Sequence, residues 1–240
     1  MKRLAVTLIA LLVVLFTSAQ KVDTIKTTNS KVIIHFIGHG SLMFEYNDKI
    51  IHIDPWSNMG IYDTLPKADV ILLTHHHRDH LDSTALTKVV KGNTLLFWTH
   101  LCAINSKFPI NGTVLSNGDT LSIIGIPIKV VPAYNIINKR PSGEPYHVKG
   151  EGNGYILNID GLTIYVAGDT ENIPEMKDLG RIDVAFLPMN NPFTMTPEML
   201  KDAVSIIKPK ILYPYHYGTT DTYSINNLLK DIKNTEVRIR

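Results

Sequence analysis

The chain has 240 residues, 24 basic and 22 acidic side chains, and one cysteine, Cys102. A lone cysteine excludes an intrachain disulfide, so an ordinary apolar core must hold the fold, and the length suffices for one large domain. The small basic excess is Lys2 and Arg3; without them the charges balance, and no basic block marks a nucleic-acid partner.

The opening "MKRLAVTLIALLVVLFTSAQ" runs from a basic start through an apolar stretch, Leu4 to Phe16, to small residues. That order is expected of a secretory signal cleaved between Ala19 and Gln20. The apolar stretch is shorter than the roughly 20 residues a membrane span needs. The expectation is an exported protein, periplasmic or secreted, with residues 20–240 as a single domain and no stable membrane association after cleavage.

Short β-prone runs follow: "VIIHFIG" (Val32–Gly38), "LMFEY" (Leu42–Tyr46) and "KIIHID" (Lys49–Asp54). "DVILLT" (Asp69–Thr74) is continuously apolar after its first residue, as in a strand buried on both faces. Helical spacing appears at Asp82–Val90, with Asp82 or Ser83 as cap. "TLLFW" reads as a buried strand, and His100 begins a helix. The second half repeats the mixture: "IPIKVVPAY", then "GYILNIDGLTIYVAGD" as a hairpin about Asp160-Gly161, then "VAFLP". "TPEMLKDAVSIIKP" has a Thr cap and Pro at the first helical position; "KILYPYH" is a last buried strand before a helix near Ser224–Ile232 and a terminal strand. Strands followed by helices, twice over, predict two packed sheets with helices outside.

Chemistry concentrates in "ILLTHHHRDHLD" (Ile71–Asp82). On an extended segment side chains alternate, so His75 and His77 leave on one side and His76 on the other. Two imidazoles so placed can share one metal ion at about 2.0–2.1 Å each. Asp79 and His80, where the chain turns toward the helix, point to a second position. Two more candidates end apolar runs in the same way: Asp169 in "LTIYVAGDT", whose carboxylate can bridge two ions, and His216 in "ILYPYHYG".

"THHHRDH", "AGDT" and "PYHYG", in this order and at these separations, resemble the metallo-β-lactamase superfamily, and "IGHGSLMFEYNDKIIHIDPW" and "IDVAFLPMN" add to the likeness. Together they resemble the branch of single-domain hydrolases related to the ascorbate-phosphate lactonases. The resemblance spans about Val32 to His216. It implies an α/β protein folded as a four-layer αββα sandwich with a metal site along the sheet edge. It further implies His75 and His77 on a first metal, Asp79, His80 and His216 on a second, and Asp169 between them. Zinc is the expected cofactor, one or two ions per chain, with manganese or iron(II) as alternatives.

One departure stands out. The superfamily usually has a third histidine for the first metal, where this chain has Tyr134-Asn135 after "IKVVPA". His147 from the following loop, the amide oxygen of Asn135, or water are the substitutes, and imidazole is the best zinc ligand of these. His39 and Asp54 are expected beneath the site, orienting ligands; a plain turn role is the other reading of Asp54. His35 and His52 are expected to be structural. Tyr213, Tyr215 and Tyr217 pack in the core or donate to a developing oxyanion. The polar, Gly- and Pro-rich Asn138–Gly154 is expected to be a flap shaping substrate choice.

The expected reaction is hydrolysis of a small molecule. Zinc makes hydroxide available near pH 7, and Asp79 orients it toward a lactone, ester or phosphoester. The competing readings are a β-lactam hydrolase and a catalytically degenerate metal-binding or scaffold protein of the same fold. Oligomeric state leaves no trace in the sequence.

Overall fold

Alternation within the strands decides how the layers stack. A computed structural model describes residues 21–240; the expected signal segment lies outside the described residues. The first sheet takes β1 (Lys21–Lys26), β2 (Lys31–Gly38), β3 (Ser41–Tyr46), β4 (Lys49–Ile53), β5 (Val70–Leu72), β6 (Leu95–Trp98) and β7 (Thr113–Val114) in chain order. The second takes β8 (Thr120–Ile123), β9 (Ile126–Ala133), β10 (Gly152–Ile159), β11 (Leu162–Val166), β12 (Val184–Pro188), β13 (Ile211–Tyr215) and β14 (Glu236–Val237). In both sheets the first four strands pair antiparallel and the last three add in parallel.

β5 shows why the apolar runs are unbroken. Val70 and Leu72 enter the core between the sheets, while Ile71 and Leu73 join the layer beneath α1 (Ser83–Val89) and α2 (His100–Asn105). β12 divides likewise: Val184 and Phe186 face the other sheet, Ala185 and Leu187 face α3 (Pro197–Ile207) and α4 (Tyr223–Leu228). The result is the expected order helix, sheet, sheet, helix. Each fully buried aliphatic or Phe side chain contributes about 1.5–3 kcal/mol by leaving water.

Capping fixes where the helices start. The Asp82 carboxylate accepts from the Thr84 and Ala85 N–H groups, and the Thr196 hydroxyl accepts from Met199 N–H ahead of Pro197. The last helix is shorter than expected, ending at Leu228. Asn226-Asn227 favour helix weakly, and Thr222 offers no side-chain cap. Leu229 and Ile232 still pack on the second sheet's outer layer.

Candidate metal centre

Several segments that leave strand ends meet at one rim of the sandwich. β5 leads to His75 and the turn His76–His80, β11 to Asp169, β13 to His216, β4 to Asp54, and β2 to His39. β5 ends at Leu72, so His75–His80 is not extended. Instead His77 C=O accepts from His80 and Leu81 N–H, and that turn brings Asp79 and His80 back toward His75. Gly40 and Gly168 make room. A Cβ on Gly40 would lie 3.0 Å from the His80 ring. On Gly168, which has φ +67°, a Cβ would lie 2.8 Å from Asn153 C=O.

Two trios of donors stand side by side. In the first, His77 Nδ1 lies 3.1 Å from both His75 Nε2 and His147 Nε2. In the second, His216 Nε2 lies 3.1 Å from His80 Nε2 and 3.3 Å from Asp79 Oδ2. Asp169 sits between them: Oδ2 is 3.3 Å from His147 and 3.4 Å from His216, and Oδ1 is 3.5 Å from His80. Tetrahedral ligands at 2.0–2.1 Å from zinc would stand about 3.3–3.4 Å apart, and these separations are close to that spacing. Asp169 is 4 % exposed and its Oδ1 has no hydrogen-bond partner. A buried carboxylate so placed requires a cation, and the donor set of imidazoles and carboxylates fits a divalent metal.

The layer beneath fixes the tautomers. Asp54, wholly buried, accepts from Thr74 N–H (2.8 Å), from the Thr74 hydroxyl (2.6 Å) and from His80 Nδ1–H (2.8 Å). The Thr74 hydroxyl proton is thereby committed, so Thr74 Oγ1 accepts from His75 Nδ1–H at 3.0 Å. Both rings then spend Nδ1–H on this layer and turn Nε2 toward the centre, the atom that would be free to ligate a metal ion. His39, its ring 3.7 Å from that of His216, holds Asp79, Nε2 to Oδ2 at 3.1 Å.

Charge follows this geometry. Burial works against charge at His80, but Asp169, Asp54 and Asp79 together push it up to about 10. Burial and the neighbouring imidazoles take His77 down to about 4 and His75 well below its ordinary value. Burial opposes ionisation of Asp79 and Asp169; at Asp79 the bonds to His216 and His39 prevail, at Asp169 the charges of His216 and His80, and both fall below the usual carboxylate range.

A family model described as a β-lactamase superfamily domain matches residues 33–216, from β2 to the last clustered histidine. The chain belongs to the metallo-β-lactamase superfamily. Among its relatives are UPF0173 metal-dependent hydrolases from Nanoarchaeum equitans (31 % identical, 78 % of this chain and 84 % of the relative) and Lysinibacillus sphaericus (34 %, 78 % and 85 %). The structure is similar to that of a candidate metal-dependent hydrolase from Parabacteroides distasonis, with TM-score 0.86, 46 % identity, and 92 % and 98 % of the two chains covered. Igni18, a metallo hydrolase from Ignicoccus hospitalis, shares the fold at TM-score 0.71 and 23 % identity over 87 % and 94 %. The chain is a metal-dependent hydrolase of this superfamily.

Within this metallo-β-lactamase fold some expected roles change. Asn135 is not turned to the metal position as a ligand: its Oδ1 accepts from the backbone N–H of His147 and faces His147 Nδ1 at 2.6 Å. The Tyr134 hydroxyl points away, donating to Glu175 at 2.9 Å. The Tyr213 and Tyr217 hydroxyl protons are committed away from the site, to Asp23 and to Arg240 C=O, while the buried Tyr215 hydroxyl accepts from Gly168 N–H. Asp54 is a brace and not a plain turn residue, although its backbone is left-handed at φ +45°. His52 is structural, donating to Pro66 C=O, and His35 faces Glu45. Thr74 and Glu171 escaped sequence reasoning, although each neighbours a candidate ligand or its companion.

Proposed function

We propose that the chain is an exported zinc hydrolase acting on a small lactone, ester or phosphoester that carries negative charge. The observation that carries this reading is the cleft of about 410 Å³ whose floor holds Asp79, Asp169, His77, His147 and His216. Export rests on the pattern of Met1–Gln20, and zinc on the predominance of imidazole donors at tetrahedral spacing. When bound, such an ion lowers the pKa of water to about 7 and polarises the substrate's oxygen.

The chain's own residues do the rest. Asp79 is fixed through Oδ2 by His39, while Oδ1 makes no hydrogen bond among the described residues. That free oxygen, on a side chain 30 % exposed, is placed to accept a proton from the attacking water and return it to the leaving group. On the rim, Arg140 lies over the Tyr146 ring at 5.2 Å and 3.4 Å from His77 Nε2. Neither Arg140 nor Arg78 has an ion-pair partner among the described residues, so both favour an anionic substrate, while Tyr146 and Phe193, packed edge to face, offer an apolar wall. Branch resemblance favours a lactone or ester.

The test is a panel of lactones, aryl esters and phosphodiesters, with and without a carboxylate or phosphate, on wild type and Asp79→Ala. Positioned acid–base groups contribute about 10²–10⁴-fold, so Asp79→Ala is expected to lower kcat/KM at least 100-fold on an anionic substrate, and chelation to abolish turnover. Turnover that survives complete metal removal contradicts the proposal.

A further inference from the structure

The first trio has an unusual origin. His75 and His77 follow a rigid strand, but His147 comes from the loop joining β9 to β10, next to the Arg140–Tyr146 wall of the cleft. Something must hold an imidazole from an 18-residue connection in place, and both its backbone and its ring are anchored to Asn135. Glu171 is 1 % exposed, two residues after Asp169. Its carboxylate accepts from three consecutive backbone N–H groups, Ile136, Ile137 and Asn138, each at 2.7 Å. It also accepts from Asn135 Nδ2 at 3.1 Å.

These bonds dictate proton positions. The Asn135 amide nitrogen faces two pure acceptors, Glu171 Oε1 and Phe193 C=O, so the other amide atom is the oxygen. That oxygen accepts from both His147 N–H and Nδ1–H. His147 is therefore the Nδ1–H tautomer, with the Nε2 lone pair directed at His77 and Asp169. An amide has been inserted between the carboxylate and the imidazole of a carboxylate–histidine–metal arrangement.

We propose that Glu171 is a positioning residue that acts through Asn135 on His147, so that the first metal position and the flap side of the substrate cleft are assembled together. This rests on the metal-hydrolase reading. The residue filling the place of the missing third histidine thus serves the centre without touching it, and loop closure and metal loading become one event.

The experiment is zinc affinity by chelator competition, with bound zinc counted per chain, for wild type, Glu171→Gln, Asn135→Ala, His147→Ala and Glu171→Gln/His147→Ala. Partners of ligands typically change metal affinity 10–100-fold. One of the two zinc affinities of Glu171→Gln, the one that His147→Ala abolishes, is expected to fall by that factor while the other is unchanged. Asn135→Ala, which leaves the three backbone bonds to Glu171 intact and so guards against misfolding, is expected to show the same loss. In the His147→Ala background, Glu171→Gln is expected to add nothing, a result that general destabilisation would not give. Additive losses, or Glu171→Gln and Asn135→Ala with both affinities intact, overturn the inference. A wild type that binds no more zinc than His147→Ala also overturns it while leaving a single-metal hydrolase standing; a wild type that binds none overturns both readings.

Discussion

Asp54 carries three hydrogen bonds into the site from a position with no exposed surface. Asp54→Asn keeps the shape but replaces one accepting oxygen by an NH₂ group. Where that group faces His80, the ring must accept at Nδ1 and carry its proton on Nε2, the atom that should bind metal. Zinc affinity at the Asp79/His80/His216 position is expected to fall 10–100-fold, measured by competition; an unchanged affinity would mean Asp54 does not set the His80 tautomer. At this scale the sequence was legible where residue type and strand-end position coincide, as at His75, Asp169 and His216. Thr74 and Glu171 were not legible, because a hydroxyl or carboxylate beside a ligand is common and only three-dimensional bonding gives it a role. Asn135 and His147 had to be seen together, since each occupies a place that makes sense only through the other.

Secondary elements connect these residues to the core. Asp82 caps α1 and also accepts from Ser57 N–H at 2.8 Å, tying the segment after β4 to the helix that follows His80. Asp82→Ala is expected to cost about 1–2 kcal/mol, read as a lower urea midpoint in metal-free protein; a midpoint equal to wild type would show that the cap is dispensable. Apolar runs and capping residues made β5, β12, α1 and α3 readable. The hairpin of β10 and β11 was readable from Asp160-Gly161, both left-handed. β1 was not: only Ile25 of its six residues is buried, so it lacks a strong pattern. It is recruited by pairing with β2, and by Asp160, which accepts from Thr27 and Asn29 across the two sheets.

The molecule as a whole repeats one topology in two sheets, although no sequence repeat is visible, because packing needs the apolar alternation and not particular residues. Stability should depend on pH through His52, a fully buried residue of β4. Burial lowers it to about 4 from an ordinary 6.5, despite its bond to Pro66 C=O. As pH falls from 6.5 to 4 the unfolded chain takes up this proton and the folded chain does not, so stability is lost across that window. The loss is about 3 kcal/mol. The stability difference between wild type and His52→Gln, measured by urea unfolding of metal-free protein, is expected to move against wild type by that amount between pH 7 and 4; a constant difference would contradict it.

Anomalous diffraction at the zinc edge, from crystals grown with zinc, addresses the centre most directly. Two peaks about 3.5–4 Å apart are expected, one against His75, His77 and His147 and the other against Asp79, His80 and His216, with Asp169 between them. Zinc bound elsewhere, with neither trio occupied, would contradict this arrangement.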